Sequence, residues 1–96
     1  MSYEYQLIRA SLREQRNGEK KIKYLFDVNG KRYGFARYTR IETGRTRYII
    51  TGSKLNTLLS WTDDDGFTYM DISGESFRIL ESLILNEFGV TMPKLS

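Results

Sequence analysis

The chain has no cysteine and no histidine among its 96 residues. Their absence excludes Cys/His zinc sites, Cys or Ser–His nucleophile pairs and imidazole acid–base chemistry. Carboxylate, tyrosine and lysine chemistry stay open. No apolar stretch approaches the roughly 20 residues that a membrane-spanning helix needs. The N-terminal MSYEYQLIRAS is polar and alternating, with no apolar signal-peptide run. These absences, with the lack of cysteine, lead us to expect a cytoplasmic protein that stays out of membranes. The glycines mark isolated turns, and no GxxxxGK followed by Ser or Thr occurs, so no phosphate loop is expected. No cofactor is implied.

What is present suits a globular fold. Hydrophobic residues make up 40% and charged residues 28%, which places the chain away from disordered compositions. The length supports one domain, residues 1–96, with one modest core. Net charge is only +3, yet it is unevenly spread. Residues 1–54 hold 13 Lys/Arg against 5 Asp/Glu, a balance of +8, while residues 55–96 hold 2 against 7, a balance of −5. Either the two halves interleave in space and cancel, or the domain has a basic face and an acidic end suited to an oppositely charged partner.

Asn17-Gly18 and Asn29-Gly30 are hairpin signals, because both residue types tolerate the positive φ of tight turns. Thr43-Gly44 is a weaker third. They divide the first half into strands at about 3–14, 20–28, 31–42 and 46–51. A two-residue turn at Asn29-Gly30 sets Val28 opposite Lys31, Phe26 opposite Tyr33, Tyr24 opposite Phe35 and Ile22 opposite Arg37. Alternation then gathers Ile22, Tyr24, Phe26, Val28, Tyr33 and Phe35 on one face. Lys21, Lys23, Leu25, Asp27, Arg32, Gly34, Ala36 and Tyr38 fall on the other, with Asp27 opposite Arg32. At Asn17-Gly18 a two-residue turn mixes the faces. A three-residue loop, Arg16-Asn17-Gly18, would instead bring Leu12, Ala10 and Ile8 opposite Tyr24, Phe26 and Val28, so that loop is the expectation.

In SKLNTLLS, Leu55, Leu58 and Leu59 have the spacing of a short helix that Ser53 could cap. A strand through Leu58–Trp61, hairpinned onto Phe67–Ile72 through TDDDG, is the close second reading. FTYMDI, residues 67–72, reads as a strand. Ser73 reads as a helix cap, Gly89 as a stop, and a helix is predicted over 75–88. Phe77, Ile79, Leu80, Leu83, Ile84 and Phe88 form its apolar arc, and Leu85 falls on the polar side. The fold expected is α+β: an antiparallel sheet of about four to five strands, beginning as an N-terminal meander, with the C-terminal helix packed on one face.

KRYGFARY, residues 31–38, resembles the aromatic third strand of the RNA-recognition motif at Lys31, Tyr33, Gly34, Phe35 and Tyr38. Arg32 and Ala36 depart from it. The resemblance covers eight residues and implies Tyr33 and Phe35 as base-stacking platforms. The strand alternation says otherwise, because it puts both rings among the core-facing side chains of the second hairpin. Asp63-Asp64-Asp65-Gly66 departs from a calcium loop: its aspartates are consecutive, and Ile72 stands six places after the glycine where a Glu ligand belongs. It reads as a polar turn, and no metal is expected. Trp61 reads as core or rim packing.

Lys31, Arg32, Arg37, Arg40, Arg45 and Arg47 lie within 17 residues, offset only by Glu42, with Tyr38 and Tyr48 interleaved. Arg beside Tyr suits protein hot spots and phosphate or base contacts alike, and also suits a solvated face whose Arg stems cover apolar surface. Three functional classes follow. The first is a small non-enzymatic protein that occupies a surface of a larger protein or nucleoprotein partner, as phage- or mobile-element-encoded inhibitors of host machinery such as defence complexes do. The second is a nucleic-acid-binding protein using the Arg/Tyr-rich basic sheet face. The third is a carboxylate- or tyrosine-dependent enzyme, which a deep pocket with convergent Asp, Tyr and Arg would favour. For both binding classes the expected contact residues are Arg37, Tyr38, Arg40, Arg45, Arg47 and Tyr48. A homodimer through exposed sheet edges is also open.

Overall fold

Asn17 and Gly18 have φ of 52° and 75°, and Asn29 and Gly30 of 50° and 85°. This double positive φ marks the two-residue hairpin turn whose twist matches the strands it joins. The computed structural model describes residues 5–63, 66–72 and 74–94, with the side chains of residues 7–12 outside that description. Around the two turns run β1 (Tyr5–Arg16), β2 (Glu19–Val28) and β3 (Lys31–Arg40). They are followed by β4 (Thr46–Thr51), β5 (Thr57–Thr62), β6 (Phe67–Met70) and the helix α1 (Gly74–Phe88). The described strands form one antiparallel sheet whose spatial order, β1 to β6, repeats the chain order.

The α+β architecture is the one expected, but the sheet has six described strands rather than four to five. The excess comes from residues 57–62, where the strand reading prevails over the helix, while β6 falls within the expected strand at 67–72. Leu55 adopts φ of 63° and is 75% exposed, so it neither continues a helix nor joins a core. The Gly52 N–H donates to the Asn56 carbonyl at 2.9 Å and the Leu55 N–H to the Gly52 carbonyl at 3.0 Å, closing a tight reversal. Beyond it, Leu59 and Trp61 are buried, with the less buried Leu58, Ser60 and Thr62 alternating between and beyond them, the period of a strand.

The second hairpin has the expected register from Val28↔Lys31 to Ile22↔Arg37, and Arg32 Nε lies 3.1 Å from Asp27 Oδ1. The first hairpin corrects the expectation. Arg16 pairs with Glu19 across a two-residue turn, not a three-residue loop. Phase is recovered further along, by register shifts between Ala10 and Leu12 and between Leu7 and Arg9. Each bulge advances β1 by one residue against β2, so Ala10 pairs with Tyr24, Leu7 with Phe26 and Tyr5 with Val28. None of the three expected pairs forms: Ala10 lies opposite Tyr24 rather than Phe26, Leu12 pairs with Lys23, and Ile8 falls at a shift.

One sheet face and α1 enclose the core. Phe26, Phe35, Ile50, Leu59 and Trp61 from the sheet meet Phe77, Leu80, Leu83 and Ile84 from the helix, with Tyr24, Tyr33, Ile79 and Phe88 packed around them. Phe88 reaches the sheet directly, its ring centroid 4.6 Å from Tyr24 and 4.9 Å from Phe35. KRYGFARY is therefore a core strand at Phe35, which is fully buried, and Tyr33 packs against the same cluster. Leu85 is exposed, as its position on the polar side implies. Gly89 ends the helix with φ of 67°, its N–H donating to the Leu85 carbonyl at 2.9 Å. The Ser73 cap and Asp64-Asp65 of the polar turn lie outside the described residues. No helix among the described residues is long and apolar enough to cross a membrane.

Candidate functional site

The pleat divides the six expected contact residues. Arg37 and Tyr48 pair across β3 and β4 on the helix side, in the same row as Trp61. Tyr38 and Arg47 pair one residue further along, on the uncovered side. Arg40 ends β3 and Arg45 precedes β4, and both are exposed. Strand order makes the charge division spatial, because within the sheet the basic strands β1–β4 stand together rather than alternating with the later ones.

On the uncovered side, Tyr38, Arg40, Arg45 and Arg47 meet at one corner around a shallow depression of about 170 Å³, with Glu19, Thr46 and Thr62. Backbone bonds hold this corner. The Arg40 N–H donates to the Arg45 carbonyl at 2.9 Å, the Gly44 N–H to the Arg40 carbonyl at 2.7 Å, and the Ile41 N–H reaches the Gly18 carbonyl at 2.9 Å. The last bond ties the β3–β4 turn to the β1–β2 turn. Tyr38 lies between cations from the strands on either side, with Lys21 Nζ 5.5 Å and Arg47 Cζ 4.5 Å from its ring centroid. Arg47 Nη2 also donates to Glu19 Oε1 at 3.4 Å. These contacts pre-position Arg47 and Tyr38, while the guanidinium groups stay in reach of solvent.

Behind this corner, on the helix side, is a larger cleft of about 580 Å³. Its walls are the ends of β3–β5, carrying Arg37, Tyr48, Trp61 and Asp63, and the segment 88–94 that leaves α1. Val90 and Met92 are buried and anchor that segment. Tyr48 Oη donates to Asp63 Oδ1 at 2.9 Å. Burial first, then the hydrogen bond to Asp63 and that residue's negative charge, push the Tyr48 phenol up to about 12, against a smaller opposing pull from Arg37. Tyr48 is thus a fixed donor at neutral pH. Arg37 Nε and Trp61 Nε1 are buried N–H donors with no hydrogen-bond partner among the described residues.

Sequence reasoning singled out Arg37 and Tyr48 but not Asp63 or the 88–94 wall. It also left Glu19 and Lys21 out of the corner. Lys21 opposite Tyr38 was readable from the second hairpin. Asp63 becomes visible only once residues 57–62 are a strand, which places Trp61 beside Tyr48 and carries the chain to Asp63 at the row's end. Of the polar turn read against a calcium loop, Asp63 and Gly66 are described, and Asp63 is engaged by Tyr48. In comparisons with known proteins, no family model, no curated protein and no solved structure matches the chain.

Proposed function

We propose that this chain is a small non-enzymatic binding protein that occupies an acidic surface of a larger protein or nucleoprotein partner through the corner of Tyr38, Arg40, Arg45 and Arg47. The observation that supports it most is the convergence of three exposed arginines and a tyrosine on one bonded corner of the sheet. Arg and Tyr are the residue types that carry interface energy, and their pre-positioning lowers the ordering cost of binding. The proposal extends to the setting: a phage- or mobile-element-encoded inhibitor that blocks host machinery, such as a defence complex, by covering a surface.

A nucleic-acid reading draws on the same corner. Against it, the ring of Tyr38 is already flanked by Lys21 and Arg47, where a stacked base would sit, and Glu19 neutralises part of the positive charge. The cleft holds the Arg, Tyr and Asp trio that an enzymatic reading calls for. Tyr48, however, donates to Asp63 at 2.9 Å, which commits the phenol and the carboxylate to each other and supports binding over tyrosine-based proton transfer.

The test is a pull-down from lysate of the host cell, with and without nuclease, using wild type, Arg40→Glu/Arg45→Glu/Arg47→Glu and Arg37→Met. A discrete protein that survives nuclease, is lost in the triple variant and is kept by Arg37→Met is the expected result. Bulk nucleic acid that vanishes with nuclease and weakens steeply with salt would shift the reading to nucleic acid. No capture in either arm would overturn both. Dimerisation through the sheet edges is a separate proposal, and a monomer in gel filtration at two salt concentrations would end it.

A further inference from the structure

Buried N–H groups are almost always paired with protein, water or ligand. Arg37 Nε and Trp61 Nε1 are two such donors without a described partner, and both residues line the 580 Å³ cleft. Trp61 is 1% exposed, so its indole is fixed in the core. Asp63 in the same lining gives its Oδ1 to Tyr48, and Arg37 forms no ion pair among the described residues. Arg37 is half-buried and lines the cleft, so its side chain can meet a ligand there although its Nε is closed to solvent. No carboxylate bonds it among the described residues, and it is an anchor for an anion because charge-assisted bonds are the strong ones. The cleft volume lies within the range of about 300–1,000 Å³ typical of small-ligand pockets.

The lining also limits the ligand's charge. Arg37 and Lys94 against Asp63 leave a surplus of one positive charge. The carbonyl end of α1, at Phe88 and Gly89, forms part of the same lining and carries the negative end of the helix dipole. A second negative charge is therefore disfavoured. Tyr48, Phe88 and Pro93, each partly exposed, supply ring and apolar surface beside the guanidinium, over the buried Trp61 and Met92.

We propose that the cleft is a binding site for a single carboxylate carried on a flat apolar group, with Arg37 as its anchor. Two sources present that chemistry: a free aromatic acid, and the C-terminal carboxylate of a protein chain that ends in an aromatic residue. The site is on the opposite face of the sheet from Tyr38 and Arg47, so it stands or falls independently of the basic corner.

Trp61 is the chain's single tryptophan, so its indole N–H cross-peak reports the cleft without further labelling. The full chain is titrated with benzoate, benzamide, phenyl phosphate, and N-acetylphenylalanine with its carboxamide. Benzoate is expected to shift the peak saturably, with dissociation in the millimolar range usual for fragments of about ten atoms. Benzamide, and benzoate on Arg37→Met, are expected to bind about tenfold more weakly or worse. Tighter binding of N-acetylphenylalanine than of benzoate assigns the site to a chain end, and the reverse order assigns it to a small acid. No saturable shift, equal binding of benzamide, or tighter binding of phenyl phosphate would overturn the proposal. If Arg37→Met fails to fold by its thermal melt, the benzoate–benzamide comparison on the wild type still decides.

Discussion

On β3 and β4 the same pair of residue types occurs twice, one step apart. Arg37 pairs with Tyr48, and Tyr38 with Arg47. In the first row the guanidinium is half-buried with an unpartnered Nε, and the phenol is locked to Asp63. In the second, the guanidinium touches both an aromatic face and a glutamate while half its side-chain surface stays in solvent. The residue types are identical, but the medium is not. Half-buried, the pair costs desolvation and depends on partners; in water it is nearly free and available to another molecule. A basic run in a strand therefore contributes only alternate residues to any one surface, and a site predicted from the run divides in two.

The largest effect that sharpens this contrast comes from the covered face. Phe35 is fully buried and stacks within 6.4 Å of Tyr24, Tyr48 and Trp61. Phe35→Ala should cost about 3–5 kcal/mol in urea unfolding. Tyr38→Ala, on the uncovered face of the same strand, should cost about 1–2 kcal/mol, the loss of its two cation–π contacts. Equal costs would mean that the uncovered face is itself packed.

Next is Tyr48→Phe, which removes one hydrogen bond and should cost about 1 kcal/mol at pH 7. Its pH dependence is more telling. A phenol raised in the folded protein contributes stability in full below its ordinary value near 10 and loses it as pH climbs through about 12. The wild type's advantage over Tyr48→Phe should therefore hold to about pH 10 and vanish by pH 12, read as a difference of melting temperatures. An advantage that is flat across that window would show that Tyr48 is not held by Asp63.

Much of this contrast was legible in the chain. The Asn29-Gly30 turn fixes parity, and parity alone separates Arg37 from Tyr38. The core-facing set of the second hairpin and the apolar arc of α1 follow from period 2 and period 3.6. Two things were not legible, for physical reasons. A bulge leaves no compositional mark, so the two in β1 could be seen only as a mismatch of faces, and a longer loop removed that mismatch at lower apparent cost. The spacing of Leu55, Leu58 and Leu59 fits a helix, and what excludes one is conformational: the positive φ at Leu55 and the pairing of Leu59 with Ile50 across β4 and β5. With that strand placed second to a helix, Trp61 and Asp63 could not be brought to Arg37 and Tyr48, and the cleft stayed hidden.

Exchanging the arginines gives a smaller and opposite pair of effects. Arg37→Met removes a buried donor that has no described partner while keeping the apolar stem, so stability should stay level or rise. Arg47→Met gives up the Glu19 ion pair and the contact with Tyr38, and should cost between about 0.3 and 1 kcal/mol. A loss at Arg37 above about 2 kcal/mol would mean that the guanidinium is satisfied in the folded protein, and the contrast between the rows would fail.

The smallest effect calibrates the solvent-exposed side. Arg32 and Asp27 pair across the second hairpin at 3.1 Å, with side-chain exposures of 55% and 34%. A double-mutant cycle through Arg32→Ala and Asp27→Ala should return a coupling of about 0.2–0.5 kcal/mol. In about 1 M salt, where the screening length is near 3 Å, the coupling should fall toward zero. The pair sits on the same side of β3 as Tyr38, so a salt-sensitive value this small is what a fully wetted face requires. A coupling well above 1 kcal/mol that survives salt would mean that this side of the sheet is drier than its uncovered position implies, and arginines there would already be committed rather than available to a partner.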